Sequence, residues 1–167
     1  MSAICVFTNN MNKNISGKVL FTETKRGLQI KINISGISPG KHGFHIHEAG
    51  DLSEGCGTLC SHYNPKNSVH GGRNSKERHL GDLGNIIAND KGVVDMTIYD
   101  KELSINGKYS ILGRSVVVHE REDDLGLGGL DKEGNIIDKV VREESLKTGN
   151  AGKRIACGVI GYKKIKI

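Results

Sequence analysis

Residues 42–82 gather the side chains most able to bind a metal. They read His42-Gly43-Phe44-His45-Ile46-His47-Glu48, then Cys56, His62-Tyr63-Asn64-Pro65, His70-Gly71-Gly72 and Arg78-His79-Leu80-Gly81-Asp82. Six of the chain's seven histidines lie here, and the seventh, His119, stands far downstream in an apolar run. His45 and His47 are two apart, so on a β-strand both imidazoles point to one side and can meet one ion. A single histidine is ordinarily a satisfied core or surface residue, but so many imidazoles buried without partners would be costly. Imidazole suits zinc, copper, iron and nickel, and one carboxylate among nitrogen donors fits tetrahedral zinc. The donors exceed the four that zinc needs, which leaves ligands for a redox copper.

These groups need rigid elements to position them. Leu28, Ile30, Ile32 and Ile34 alternate with Gln29, Lys31, Asn33 and Ser35, the pattern of a strand with one buried face. Residues 3–7, 18–22, 85–88, 93–99, 115–120 and 154–162 also read as strands, and residues from Glu102 to the Asn106-Gly107 turn signal read as another. Lys25-Arg26-Gly27 and Asn89-Asp90-Lys91-Gly92 read as turns. With no convincing amphipathic helix, the pattern is all-β, a sandwich or barrel of eight short strands. The segment carrying His62, His70, His79 and Asp82 lacks periodicity, and such a long loop in a compact domain is usually functional or disordered.

At this point the sequence resembles the copper/zinc superoxide dismutases. The matching stretches are PGKHGFHIHEAGD from Pro39, SHYNP from Ser61, HGG from His70, ERHLGDLGNI from Glu77, GRSVVVHEREDDLGLGG from Gly113 and KTGNAGKRIACGVIG from Lys147. The resemblance covers nearly the whole chain. It implies a single-domain, eight-stranded Greek-key β-barrel, an immunoglobulin-like sandwich, with two long functional loops; the family is itself a standard example of sandwich architecture. Those loops are a metal-binding loop at about residues 48–83 and an electrostatic loop at about 120–153.

Residue by residue, the resemblance implies copper ligands at His45, His47, His62 and His119, and zinc ligands at His62, His70, His79 and Asp82, with His62 shared. His42 matches a structural histidine that ties the loop to the barrel. Asp123 matches an aspartate linking a copper histidine to a zinc histidine. Arg154 matches the arginine that docks superoxide, and Glu143, Glu144, Lys147 and Thr148 match residues that steer it. His62 and Arg154 are thus the catalytic residues of an enzyme that disproportionates superoxide to dioxygen and hydrogen peroxide. The alternative is a nonenzymatic copper-handling domain of the same fold; such domains typically lack a copper ligand or the docking arginine, and this chain has all of them. A basic surface-binding module with purely structural metals is a further alternative, and His119 and Arg154 argue against it.

Four cysteines, Cys5, Cys56, Cys60 and Cys157, allow three full pairings, and the sequence alone leaves the choice open. The resemblance implies a Cys56–Cys157 disulfide. Cys5 reads as a small buried hydrophobe, and Cys60, which departs from the family's pattern, reads as a free loop thiol or as a competitor for Cys56. The family's sequence is also interrupted at residues 130–142, thirteen residues where about one is usual. The insertion carries three acids against three bases, and the alternation around Ile136, Ile137, Val140 and Val141 permits a small hairpin.

The net charge of +5 and pI near 9.0 would ordinarily suggest nucleic acid, but no basic run with interleaved aromatics appears. The basic balance is better spent attracting a small anion, and neither a nucleic acid nor a membrane partner is expected. No secretory leader pattern is evident at the N-terminus, so a cytoplasmic location is expected. The basic end, Lys163 to Ile167, reads as solvated. The resemblance implies a homodimer through Ala49, Gly50, Leu112, Gly113, Val159 and Tyr162. Lys153 and Ile155 stand where prolines accompany dependence on a copper chaperone, so a chaperone is expected to be dispensable.

Overall fold

A computed structural model describes residues 1–7 and 14–164, so residues 165–167 of the basic end lie outside the described residues. Among the described residues eight strands are formed: β1 (Ser2–Phe7), β2 (Ser16–Thr24), β3 (Gly27–Ser35), β4 (Gly40–His47), β5 (Asp82–Ala88), β6 (Val93–Asp100), β7 (Ser115–His119) and β8 (Arg154–Tyr162). They pair antiparallel in the order β5-β4-β7-β8-β1-β2-β3-β6. The outermost strands, β5 and β6, pack against each other and bring the sheet close to a closed barrel. The connections β3 to β4 and β6 to β7 skip neighbours, which is the Greek-key crossing that the resemblance implies.

Strand β3 shows how the sequence drives this. Its apolar positions Leu28, Ile30, Ile32 and Ile34 are buried, and Ile30 and Ile32 face Phe21 and Val19 across the β2 register. On its other edge Ile30 meets Ile98 and Ile34 meets Val94 of β6. The turns are chemical: Thr24 and Gly27 close the β2–β3 hairpin, and the Asn89 side chain accepts the N–H groups of Lys91 and Val93 before Gly92, at φ +71°.

Strand β4 is buried on both faces. Phe44 and Ile46 point into the core, while His45 and His47 point out of the barrel and are nevertheless 0% and 1% exposed, because loops cover that face. Cys56, Leu59, Val117 and Cys157 form a second apolar cluster on the same outer side. The covering loop is pinned there by the Cys56–Cys157 disulfide, the pairing implied by the resemblance. A buried ion pair adds a second tie: Arg78 donates to the Asp100 carboxylate of β6 and to the Asp82 carbonyl.

Two expectations need correction. Residues 102–107 are not a strand; Asp100 Oδ1 accepts the N–H groups of Glu102 and Leu103, the chain curls away, and Leu103 and Ile105 are buried from a loop. Their alternation was real, but a carboxylate cap replaced the strand ladder. The segment between β7 and β8 also contains a helix that no apolar stripe announces, α1 (Lys139–Thr148), in which Ser145 is the buried residue. Its ends define it: the Asp138 side chain accepts from Val141 N at 3.0 Å, and Gly149 closes it at φ +71°. The hairpin across the insertion is accordingly reduced to one turn, where Asp131 accepts from Glu133 N and Asn135 N and Leu130 bridges Ile136; Val140 and Val141 enter the helix instead. Among the described residues no helix is long and apolar enough to cross a membrane.

The disulfide joins residues 101 apart in sequence. In the chain-entropy view a loop of that length gives stabilisation of about 3–5 kcal/mol. The paired substitution Cys56→Ser and Cys157→Ser is expected to lower the unfolding free energy of the metal-free protein by that amount in denaturant titrations, and an unchanged midpoint would contradict the assignment.

Candidate metal centre

The barrel irregularities sit at the histidines. The β4–β5 register shifts between Gly43 and His45, and the β7–β8 register shifts between Val118 and His119. Bulges re-aim side chains at the cost of a ladder bond. Here they help bring His45 and His119, on adjacent strands, to a ring-centroid separation of 4.9 Å. The loop returns His62 to β4 through a bridge with His47.

The outward-facing nitrogens can be read from what holds their partners. His47 Nδ1 lies 2.9 Å from Cys60 O, and His119 Nδ1 lies 2.9 Å from Gly152 O. A carbonyl only accepts, so these nitrogens donate and each Nε2 carries a lone pair. Asp123 does the same for two rings at once, taking His45 Nε2 at 2.6 Å on one oxygen and His70 Nε2 at 2.8 Å on the other. What remains is His45 Nδ1, His47 Nε2, His70 Nδ1 and His119 Nε2, all buried and without a hydrogen-bond partner. Burial without a partner is costly, and four such ring nitrogens in one place fit metal ions.

Two overlapping donor sets result. His45, His47, His62 and His119 place one donor atom each within 4.8 Å of one another. This all-imidazole set suits copper. The second set centres on Asp82 Oδ1, which lies 2.8 Å from His62 Nδ1, 3.0 Å from His70 Nδ1 and 3.2 Å from His79 Nδ1. The 3.0 Å contact lacks hydrogen-bond alignment, so His70 Nδ1 is both close and unsatisfied. A tetrahedron with zinc-to-nitrogen bonds of about 2.0–2.1 Å has edges of about 3.3 Å, and the separations approach that value. His45 also comes within reach of His62, His70 and Asp82. It stands on the border between the two sets, with Asp123 occupying its Nε2.

Other residues fix the frame. Asp82 Oδ2 accepts from Gly71 N and His79 N, and Asn85 holds Asp123 through both main-chain groups. His42 lies 2.7 Å from His119 O and 2.8 Å from Ser38 O, which ties β4 to the end of β7 and to the β3–β4 connection.

Burial and charge set the protonation of the metal-free cluster. Burial, with neighbouring histidines, pushes His45 and His47 well below the usual imidazole range and lowers His119 to about 4. His62 is lowered by burial too, against the pull of Asp82. Burial also disfavours charge on His70, but Asp123 and Asp82 outweigh it and raise it to about 9. Asp82 is disfavoured as an anion by burial, yet His62, His70 and His79 hold it below the usual carboxylate range. Most of the copper-type nitrogens are thus neutral and ready to ligate.

A cavity of about 550 Å³ opens onto His47, His62 and His119. Arg154 lines it, with Nη1 bonded to Cys56 O at 2.7 Å and Nη2 to Cys60 O at 2.6 Å. Arg121, Lys147, Lys153 and Arg154 stand on its wall against Glu120 and Glu144, an excess of cations. Glu144, Lys147 and Thr148 reach it because they are three and four apart on α1. Glu143 does not line it: one residue out of phase on the helix, it is exposed elsewhere. Sequence reasoning missed Arg121 and Lys153 as wall residues, although each lies within a quoted motif. The Cys60 and Gly152 carbonyls had no side-chain signal at all. Cys5 is buried, which raises its thiol to about 12, and Cys60 is a free exposed thiol at φ +61°.

Comparison with known proteins gives a consistent picture. A family model described as copper/zinc superoxide dismutase matches residues 15–160. The chain is 50% identical over 151 residues to a Cu-Zn superoxide dismutase of Paramecium bursaria Chlorella virus 1, spanning 90% of this chain and 74% of that one. It is 48% identical over 154 residues to an extracellular Cu-Zn superoxide dismutase of Drosophila melanogaster, spanning 91% and 78%. A third relative, Cu-Zn superoxide dismutase 3 of Arabidopsis thaliana, is 47% identical over 153 residues, spanning 91% and 86%. The crystal structure of the clock protein EA4 superposes with a TM-score of 0.84 at 40% identity, over 97% of this chain and 94% of that one.

The titrating histidines predict how the metal-free protein responds to pH. Unfolded histidines titrate near 6.5. Below that value the unfolded chain binds protons that folded His45, His47 and His119 refuse, so stability falls as pH drops from 6.5 toward about 4. Above it, folded His70 keeps a proton that the unfolded chain releases, so its contribution is lost as pH rises through about 9. The denaturation midpoint of the metal-free protein is expected to peak near pH 6.5; a midpoint that climbs steadily from pH 5 to 9 would contradict this balance.

Proposed function

The chain belongs to the copper/zinc superoxide dismutase family, and from that premise we propose which residues carry each part of the reaction. It is an oxidoreductase with copper and zinc as cofactors, converting superoxide and protons to dioxygen and hydrogen peroxide. Bound copper supplies one-electron redox chemistry and bound zinc supplies a fixed positive charge beside it.

In this reading His45, His47, His62 and His119 hold copper, and His62, His70, His79 and Asp82 hold zinc. Supporting it are the four buried, unpartnered nitrogens, of which His45 Nδ1, His47 Nε2 and His119 Nε2 belong to the first set and His70 Nδ1 to the second. His62 is the proton carrier. With Asp82 beside Nδ1, its Nε2 takes up a proton in the first half of the reaction and returns it to the second superoxide. Asp123 holds His45 and His70 in the tautomers that ligation needs.

Arg154 docks the anion. Two carbonyls pin its terminal nitrogens, which fixes the guanidinium plane at the cavity wall and leaves further N–H groups for superoxide. Lys147, Thr148 and Glu144 shape the approach, and Arg121 and Lys153 extend the positive field. Superoxide dismutase is itself a standard example of such steering. Both functional loops, at about 48–83 and 120–153, belong to one domain built on this barrel.

The protein is further proposed to be a homodimer. Gly50, Gly113 and Val159 are adjacent, since a Cβ on Gly50 would lie 2.2 Å from Gly113 O and 3.1 Å from a Val159 methyl, and Tyr162 is 61% exposed beside them in sequence. The expected cytoplasmic location is not carried by the domain: relatives named extracellular, from Drosophila melanogaster, Brugia pahangi and Onchocerca volvulus, match over the same extent. Fractionation of the native host would place it.

Two measurements test this assignment. His119→Ala is expected to lose copper and with it dismutation, while retaining zinc. Arg154→Ala is expected to keep both metals, lower kcat/KM roughly 10- to 100-fold, as loss of a charged hydrogen bond implies, and flatten the salt dependence; full activity in either variant would refute the roles. Produced in a host without a copper chaperone but with copper and zinc, the wild type is expected to emerge metal-loaded, disulfide-bonded and dimeric by sedimentation. A copper-free, reduced product would refute independence from the chaperone, and a monomer would refute the dimer.

A further inference from the structure

Helix α1 joins two parts of the site. Glu144, Lys147 and Thr148 line the cavity, while Leu146 O accepts the main-chain N–H of His70 at 2.8 Å. Its capping residue, Gly149, packs on the Asp123–His70 hydrogen bond so closely that a Cβ there would sit 2.2 Å from Asp123 Oδ1 and 2.4 Å from His70 Nε2. The helix is therefore both channel wall and backing for a metal-set histidine.

The inserted segment, residues 130–142, supplies the N-cap Asp138 and the helical residues from Lys139 to Arg142. At ten residues the helix is already too short to persist by its own propensity, so its cap and its bonds to the loop must hold it. The same turn is bonded to the body of the loop. Ile137 N donates to Gly129 O at 2.9 Å, Arg142 donates to Gly126 O, and Asn150 donates to both Val141 O and Asp124. One turn on, Ser145 Oγ donates to Asp124 Oδ1 at 2.7 Å and accepts from Gly128 N at 3.0 Å. None of these bonds involves a group assigned to a metal.

We propose that the insertion is a splint that keeps the channel wall helical whether or not zinc is bound. Its positioning residues are Asp138, through the cap, and Arg142, through Gly126. The inference rests on the reading above that Lys147 and Thr148 serve the channel. It gives the thirteen-residue segment a task that its balanced charge does not suggest: it adds order to the wall instead of adding field.

Amide hydrogen exchange over residues 143–149 tests it, in the fully metallated protein and after selective chelation of zinc. Wild-type amides are expected to stay protected in both states. In the zinc-free state the pair Asp138→Ala and Arg142→Ala is expected to exchange roughly tenfold faster, the scale of a lost cap, while Asp138→Asn, which still caps, behaves as wild type. Asp138→Ala alone serves if the pair does not fold. Wild-type protection that collapses on zinc removal, or an Asp138→Ala variant that exchanges like wild type, would overturn the splint. Lys147→Ala separates the premise: an unaltered salt dependence of the holoenzyme rate would overturn the channel role of the helix, whatever the exchange data say of its anchoring.

Discussion

The arrangement depends on one buried carboxylate. Asp123, 1% exposed, accepts His45 Nε2 on one oxygen and His70 Nε2 on the other. Each bond fixes a tautomer, and a fixed tautomer sends the opposite lone pair inward. Because these rings are buried, leaving the opposite nitrogen without a partner is costly, and a bound ion relieves that cost. Asp123 thereby couples the two donor sets, which already share His62.

The barrel's part is to offer a rigid outer face. Phe44, Ile46, Val116 and Val118 fill the interior, and the alternation of a strand then forces His45, His47, Val117 and His119 outward. An outward histidine would ordinarily be solvated. Here two loops close over it, one held by the Cys56–Cys157 disulfide and by Arg78 on Asp100, the other by the α1 network around Asp124. The ties meet at the site: Cys56 O and Cys60 O, both in the first loop, also aim Arg154 of β8. Pinning that loop and orienting the Arg154 guanidinium are therefore one structural task.

The cavity's charge follows from the same construction. Arg121 and Lys153 come from the two ends of the second loop, Lys147 from its helix and Arg154 from the strand after it. Residues spread along the chain converge as a positive wall over the imidazoles. The chain-wide charge of +5 gives no hint of that concentration. Glu143 and Glu144, adjacent in sequence, separate because a helix turns by about 100° per residue, and only Glu144 reaches the wall.

The sequence by itself determined the strand alternation, the turn residues, the histidine inventory and, through its quoted motifs, the family to which the chain belongs. These are local properties: period-two burial, glycine at positive φ and motif spacing are written in neighbouring residues. Tertiary structure decided what depends on distant carbonyls and carboxylates. Which nitrogen of His47 or His119 is free follows from Cys60 O and Gly152 O, main-chain atoms that any residue type supplies. Residues 102–107 lost their strand because Asp100 capped their backbone, and α1 formed where its apolar residues made no stripe because Asp138, Gly149 and Asp124 bonded its ends and middle. Such hydrogen bonds are set by where the fold puts their partners, and periodicity along the chain carries no record of them.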